Sequence, residues 1–216
     1  MTHIKWLCFS LLFVCLLSCK EEQKNLPEDF DFGEVKDHTY TNSYFGLSFD
    51  YPKDWSQQSK HDIKAITDKG EKYLARENTK MGSILKVSQI NTAYLFSLFK
   101  YPLKSTQDYN ASLSVIAENI AGSPDVKRGR DYLFNSKELL KQTPAQYKFE
   151  EQLDTENLGG ETFDILKAKA TYGPYKVQQE FYCIVRYGFS LSFILSYTND
   201  EEKAVLHDIL DTVTLE

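Results

Sequence analysis

Apolar and polar side chains alternate from Tyr44 to Tyr51, placing Phe45, Leu47, Phe49 and Tyr51 on one face of a half-buried strand. Pro52 ends it, because proline donates no ladder hydrogen bond, and Trp55 follows where a large ring can plug the end of a core. A short helix is expected from Asp62 to Lys69, with Ile63 and Ile66 inward and Gly70 as its stop. Glu71 to Glu77 and Ser83 to Ile90 read as strands around the connection from Asn78 to Gly82. From Ser105 to Ala121, Tyr109, Leu113, Ile116 and Ile120 recur at spacings of three and four, which predicts a helix stopped by Gly122 and Pro124. A second helix is predicted from Asp131 to Gln142 through Tyr132, Leu133, Leu139 and Leu140. Four strands follow, at Ala145 to Gln152, Glu161 to Thr171, Lys176 to Val185 and Tyr187 to Tyr197. The last alternates Phe189, Leu191, Phe193, Leu195 and Tyr197 with Ser190, Ser192, Ile194 and Ser196. Asn199, with Glu202 three residues on, is a helix N-cap pattern, and Val205, Leu206, Ile209 and Leu210 supply the stripe of a final helix. Short turns between strands imply an antiparallel sheet, and amphipathic helices must cover it, so the class is α+β.

The N-terminus follows a different pattern. Trp6 to Leu17 is an apolar run of about a dozen residues, too short to span a bilayer as a helix, and Lys5 precedes it as in a secretory leader. Leu16-Leu17-Ser18-Cys19 resembles the bacterial lipobox position by position, which implies cleavage after Ser18 and lipid on Cys19. Several acyl chains on one cysteine make anchoring effectively permanent, where a single chain would hold only marginally. Lys20-Glu21-Glu22 is similar to the lysine-plus-acids signal that sends some Bacteroidota lipoproteins to the outside of the outer membrane. Position 20 is not the Asp that retains many lipoproteins at the inner membrane. An outer-membrane anchor is therefore expected, with the periplasmic and the external face both open. Residues 1–18 are the leader, 19–39 a lipidated polar tether in which Phe30, Phe32 and Val35 are available to dock locally, and 40–216 a single domain.

Cys8 and Cys15 leave with the leader and Cys19 takes lipid, so Cys183 lacks an intrachain partner. Its place in the apolar run from Phe181 to Val185 favours a buried thiol over a nucleophile. The 216 residues carry a net charge of −6, and loss of the leader removes only Lys5, leaving −7. Nucleic acid is not expected as a partner, since the one basic cluster, Lys127-Arg128-Gly129-Arg130, is short and followed by Asp131.

The segment from Tyr44 to Trp55 is similar to the aromatic-Gly-apolar-x-apolar-x-Tyr-Pro-x-x-Trp opening of PsbP-like domains, a superfamily that includes photosystem II extrinsic subunits, DcrB-like lipoproteins and Ran-binding nuclear factors. Leu158-Gly159-Gly160 with Phe163, a long hairpin around Gly188 and a terminal helix fit the same resemblance, which covers roughly residues 40 to 216. It implies an α/β/α sandwich with a central antiparallel sheet. It transfers no metal or partner residue, and fold alone does not fix activity.

Catalytic chemistry is not visible. His38, His61 and His207 lack metal-ligand spacing, there is no nucleophile elbow or phosphate loop, and Glu150 and Glu151 are neighbours that would point to opposite faces of a strand. No catalytic residue, metal ligand or cofactor is assigned. The run Tyr94-Leu95-Phe96-Ser97-Leu98-Phe99-Lys100-Tyr101-Pro102 is too apolar for a routine loop. Either it is core, or Tyr94, Phe96, Phe99 and Tyr101 form an aromatic lip that docks a partner. The expectation from these residues is a membrane-anchored envelope lipoprotein, a non-enzymatic accessory that binds a protein partner. The alternative is a carrier or sensor of a small apolar ligand.

Overall fold

The computed structural model describes residues 26–77, 90–103, 105 and 109–216. Its strands are β1 (Glu34–Lys36), β2 (Thr39–Asn42), β3 (Leu47–Asp50), β4 (Ser56–Gln57), β5 (Thr92–Phe99), β6 (Ser112–Asn119), β7 (Lys148–Phe149), β8 (Asp154–Leu158), β9 (Glu161–Tyr172), β10 (Tyr175–Arg186), β11 (Phe189–Tyr197) and β12 (Thr214–Leu215). The helices are α1 (Lys60–Glu77), α2 (Gly129–Leu140) and α3 (Asp200–Leu210).

Among the described residues the strands form two antiparallel sheets. The larger runs β4-β5-β6-β11-β10-β9-β7, with β8 also paired to β9, and the smaller runs β1-β2-β3-β12. The small sheet and α3 cover one face of the large sheet, where Leu206, Ile209 and Leu210 join the aromatic core of Phe45, Phe49, Phe96, Phe163 and Phe193. On the other face, Leu133 of α2 packs with Leu166, Ala168, Phe181 and Cys183. The class is α+β, a sandwich around an antiparallel sheet, because each strand alternates two burial partners and both faces need a cover.

The strands β9, β10 and β11 form within two residues of the spans expected for them, but β11 is buried on both faces, with Ser190, Ser192 and Ser196 covered as well as the large side chains. Between β8 and β9, Gly159 and Gly160 both have positive φ, as a two-residue hairpin turn requires, and a Cβ on Gly159 would lie 2.7 Å from the Leu215 nitrogen of β12. The Asn199 cap also forms, its side chain accepting from the Glu202 N–H at 2.9 Å.

Four expectations change. The helix expected from Ser105 to Ala121 is instead strand β6 over Ser112–Asn119. Leu113, Val115 and Ala117 are fully buried at period two, and β5 and β11 bond it on either side. Its three-and-four spacing was real, but two neighbouring ladders satisfy more backbone groups than one exposed helix would. The strand expected from Glu71 to Glu77 is the second half of α1, which runs straight through Gly70 because Lys, Glu, Leu, Ala and Arg are good helix formers. The strand from Ala145 to Gln152 contracts to the two residues of β7. Of the segment from Ser83 to Ile90, all but Ile90 lies outside the described residues, and Ile90 is helical. Finally, the chain from Leu26 to Thr39, expected as a tether able to dock through Phe30, Phe32 and Val35, packs along the domain: β1 pairs with β2, Phe30 and Phe32 lie against the core while Val35 is exposed, and the Tyr40 hydroxyl donates to the Phe32 carbonyl at 3.0 Å.

Candidate functional site

The segment from Tyr94 to Pro102 is the strand β5 and its exit. Phe96 is 2% exposed, with its ring 5.1–5.3 Å from those of Tyr40, Phe49 and Tyr51. A bulge between Tyr94 and Phe96 inserts Leu95 as an extra residue, which explains why the run has no simple alternation. Tyr94 pairs across from Ile116 and Phe99 from Ser112, on the sheet face opposite Phe96. Tyr101 is half-buried and clamped by Asn110, which accepts from its N–H at 2.9 Å and donates to its carbonyl at 2.8 Å. These aromatic side chains therefore form no continuous lip, and Phe96 is core. Cys19, Lys20, Glu21 and Glu22 lie outside the described residues.

A different cluster carries the strongest electrostatics. Glu180 of β10 is 2% exposed, and its side chain meets the covering helix α3. Tyr197 donates its hydroxyl proton to Oε1, while Tyr182 Oη lies 3.1 Å and His207 Nε2 3.1 Å from Oε2. Lys203 Nζ is 3.8 Å from Oε1, and the Tyr182 hydroxyl also faces Glu156 at 3.0 Å. Burial by itself would raise the Glu180 carboxyl, but the hydrogen bonds from His207, Tyr197 and Tyr182 outweigh it and hold the group at about 2. Burial, followed by the Glu180 charge, pushes the Tyr182 phenol well above its ordinary range. Tyr197 is raised as well, first by burial and then by its bond to Glu180.

The chemical meaning is closure. Both carboxylate oxygens are occupied and the group is anionic at any physiological pH, so it neither accepts nor delivers a proton there. The phenols stay protonated as donors. Cys183 is equally quiet, a thiol beneath α2 that burial pushes up to about 12, far from the thiolate a nucleophile needs. A second ion pair, Lys100 Nζ to Glu202 Oε1 at 3.0 Å, ties the end of β5 to the first turn of α3, and Glu202 also accepts from the Thr198 N–H at 2.9 Å. Sequence reasoning found Asn199 and Glu202 from their spacing but missed Glu180. Its available signal was a lone acid sharing the face of Tyr182 and Ile184.

The open chemistry lies outside the other face. Asp125, Arg130, Asp131, Phe134, Asn135, Gln152 and Leu153 line a shallow depression of about 630 Å³ beside α2. Phe134 is 64% exposed within it. Gly129 lets the helix start close to β10, since a Cβ there would fall 2.0 Å from the Cys183 carbonyl oxygen. Arg130 is then fixed by Asp164, through its Nε at 3.2 Å and its backbone N–H at 2.9 Å. Asp131 accepts from the Lys127 and Arg128 N–H groups at 3.1 and 2.9 Å, which lowers its carboxyl, so the basic cluster is the capped entrance to a helix. Among the described residues no group of three or more His, Cys, Asp or Glu side chains is placed to hold a metal ion.

No family model matches the sequence, and no curated protein matches it. Solved structures do. The cyanobacterial PsbP (CyanoP) from Synechocystis superposes with a TM-score of 0.51 at 15% identity, covering 85% of this chain and 96% of its own. A protein from Bacteroides thetaiotaomicron aligns at TM-score 0.44 and 8% identity over 79% of this chain and 45% of its own. LpqN, involved in cell envelope biogenesis in Mycobacterium tuberculosis, aligns at TM-score 0.40 and 12% identity over 78% and 82%. The first match, which spans nearly the whole of that protein, shows that the domain has the PsbP-like fold.

Proposed function

We propose that this chain is a lipid-anchored envelope protein that works as a non-enzymatic accessory by docking a protein partner on its α2 face. The observation that carries the docking is Phe134, a large aromatic left open to water in a depression whose rim offers the guanidinium of Arg130, the carboxylate of Asp131 and the amide of Asn135. An aromatic anchor with fixed polar neighbours is the chemistry of a protein-binding hot spot. The closed state of Glu180 and Cys183 supports a non-catalytic role, since the two most buried reactive groups are both held in their unreactive forms. The anchor rests on Leu16-Leu17-Ser18-Cys19, and outer-membrane delivery on Lys20-Glu21-Glu22.

Site-specific photocrosslinking tests the docking. A crosslinker at position 134 in intact envelopes should capture one reproducible protein, and the same probe at exposed Glu151 should not. Capture that is unchanged when Asn135 and Arg130 are replaced by alanine, or no capture at all, would reject the α2 face. Labelling with radioactive palmitate tests the anchor, and protease treatment of intact cells separates the external from the periplasmic face. The alternative, a carrier of a small apolar ligand, has less support, because Tyr40, Phe49, Phe96, Phe163 and Phe193 fill the space between the sheets in ring contact. Lipid or metabolite retained through native mass spectrometry would favour it.

A further inference from the structure

The turn between β10 and β11 holds Tyr187 at φ +52, followed by Gly188 at φ +80. Two-residue hairpin turns of this geometry favour Asn, Asp or Gly at the first position, and a bulky side chain there is strained. The fold gains little from the choice, since the Tyr187 ring is 59% exposed. An outlier of this kind, an aromatic held out into solvent at a backbone cost, invites a functional reason.

The ring is not isolated. It meets Tyr44 edge-on at 6.2 Å, and Tyr44 lies 4.9 Å from Phe30, which also meets Phe189 at 5.3 Å. Phe30 sits one turn beyond Pro27, to whose carbonyl its N–H bonds at 3.2 Å. Leu26, four residues before Phe30, is itself packed against the main core. From Cys19 to Leu26 is seven residues, which reach at most about 25 Å when fully extended. A lipid on Cys19 therefore holds Leu26 within that distance of the bilayer, and Phe30, four residues on, ties this entry of the chain through Tyr44 and Phe189 to the Tyr187 end of the sandwich. The opposite end, where β4 pairs Ser56 with Phe99 of β5, is a sheet length further away.

Charge narrows the occupant. The Arg186 guanidinium lies 4.7 Å over the Tyr187 ring, its Nη2 donates to the Tyr187 hydroxyl at 2.9 Å and its Nη1 is 3.2 Å from Glu161 Oε1, so this cation is already paired. What remains is a tyrosine with an apolar body and a polar tip, the side chain suited to the headgroup layer of a membrane. We infer that the β10–β11 hairpin tip rests on the lipid surface, Tyr187 inserting among headgroups so that the domain stands with its α2 face turned to the side. This rests on the lipid-anchored reading of Cys19. The contact is aromatic, and salt leaves it largely unchanged.

Fluorescence depth measurement tests it. Beyond the leader the only tryptophan is Trp55, which is buried beside β4. The lipidated Tyr187→Trp protein, reconstituted in phosphatidylethanolamine and phosphatidylcholine vesicles, is expected to emit at shorter wavelength than in detergent-free water. Brominated acyl chains should quench it at low and high salt alike, while Trp55 in the parent protein stays unquenched. In a parallel experiment, vesicles should slow amide exchange at residues 186–189 of the parent, and this protection should be lost in Tyr187→Asn, whose unfolding midpoint should not fall. A lipidated Tyr187→Trp protein whose introduced indole is unquenched overturns this inference and leaves the anchor standing. Absence of lipid on Cys19, read by mass of the N-terminal peptide, overturns both. Loss of stability in Tyr187→Asn would assign the ring to the fold instead.

Discussion

The two faces of the large sheet hold their covers by different means. Toward the small sheet, Phe49, Phe96, Phe163, Phe193 and Tyr40 meet at ring distances of 5.1–5.9 Å, almost all edge-on or tilted, and none is more than 2% exposed. Toward α2, the buried set is smaller and mixed: Leu133, Leu166, Ala168, Phe181 and Cys183 share the face with Ser190 and Ser192, and Tyr132 donates to Glu118 at 2.7 Å. Aromatic rings bury large areas and gain further from edge contacts, whereas serines bury little and need partners. Stability is thus concentrated on the first face. The second can afford an exposed Phe134.

The contrast can be broken most sharply at Phe49. Phe49→Ala should cost about 3–5 kcal/mol, because its cavity would be walled by three rigid rings, and a large fall in urea midpoint would register it. Leu133→Ala on the α2 side should cost less, about 2–3 kcal/mol, since a helix lying on one sheet face can settle toward the gap. Equal losses in matched denaturation curves would refute the difference between the faces.

Between these sits the Glu180 network. Tyr197→Phe removes a donor to an ionised, buried carboxylate and should cost about 1.5–3 kcal/mol at neutral pH. The group's pKa falls from 4.5 to about 2 on folding, so its stabilisation is full above about 4.5 and is lost as pH drops toward 2. Denaturation midpoints measured from pH 7 down to 3 should therefore decline less steeply in Glu180→Gln than in the parent. A parallel acid limb in both proteins would show that the carboxylate does not carry this dependence. The smallest effect is expected at Phe134. Phe134→Ser should change stability by no more than about 0.5 kcal/mol while abolishing partner capture by a crosslinker placed at Gln152 on the rim of the same depression, and a clear loss of thermal stability would return that ring to the fold.

Legibility followed the range of the interactions. β11 could be read because five large side chains recur at period two over nine residues, three of the four positions between them being serine, and α3 because Asn199 and Glu202 form a local cap. β6 could not. Its Leu113 and Ile116 fit a helical stripe while Leu113, Val115 and Ala117 fit a strand, and eight residues are too few to separate the two periods without knowing that β5 and β11 flank them. At the candidate site, Asp131 and Arg130 were visible as a helix entrance, but Phe134 was not singled out, because its exposure depends on where α2 settles on the sheet. Glu180 was hidden for the same reason: its partners Tyr197 and His207 are 17 and 27 residues away and reach it only through the hairpin and the returning helix.

By itself the amino-acid order determined the α+β class, the long C-terminal hairpin and the capped last helix, all of which depend on residues within a few turns of one another. Only the tertiary structure decided that Phe96 is core, that Phe30 and Phe32 pack on the domain, that Glu180 is sealed and that Phe134 and Tyr187 are left uncovered by the rest of the described chain. Burial is a property of what lands on a side chain, and strands distant in sequence supply that cover.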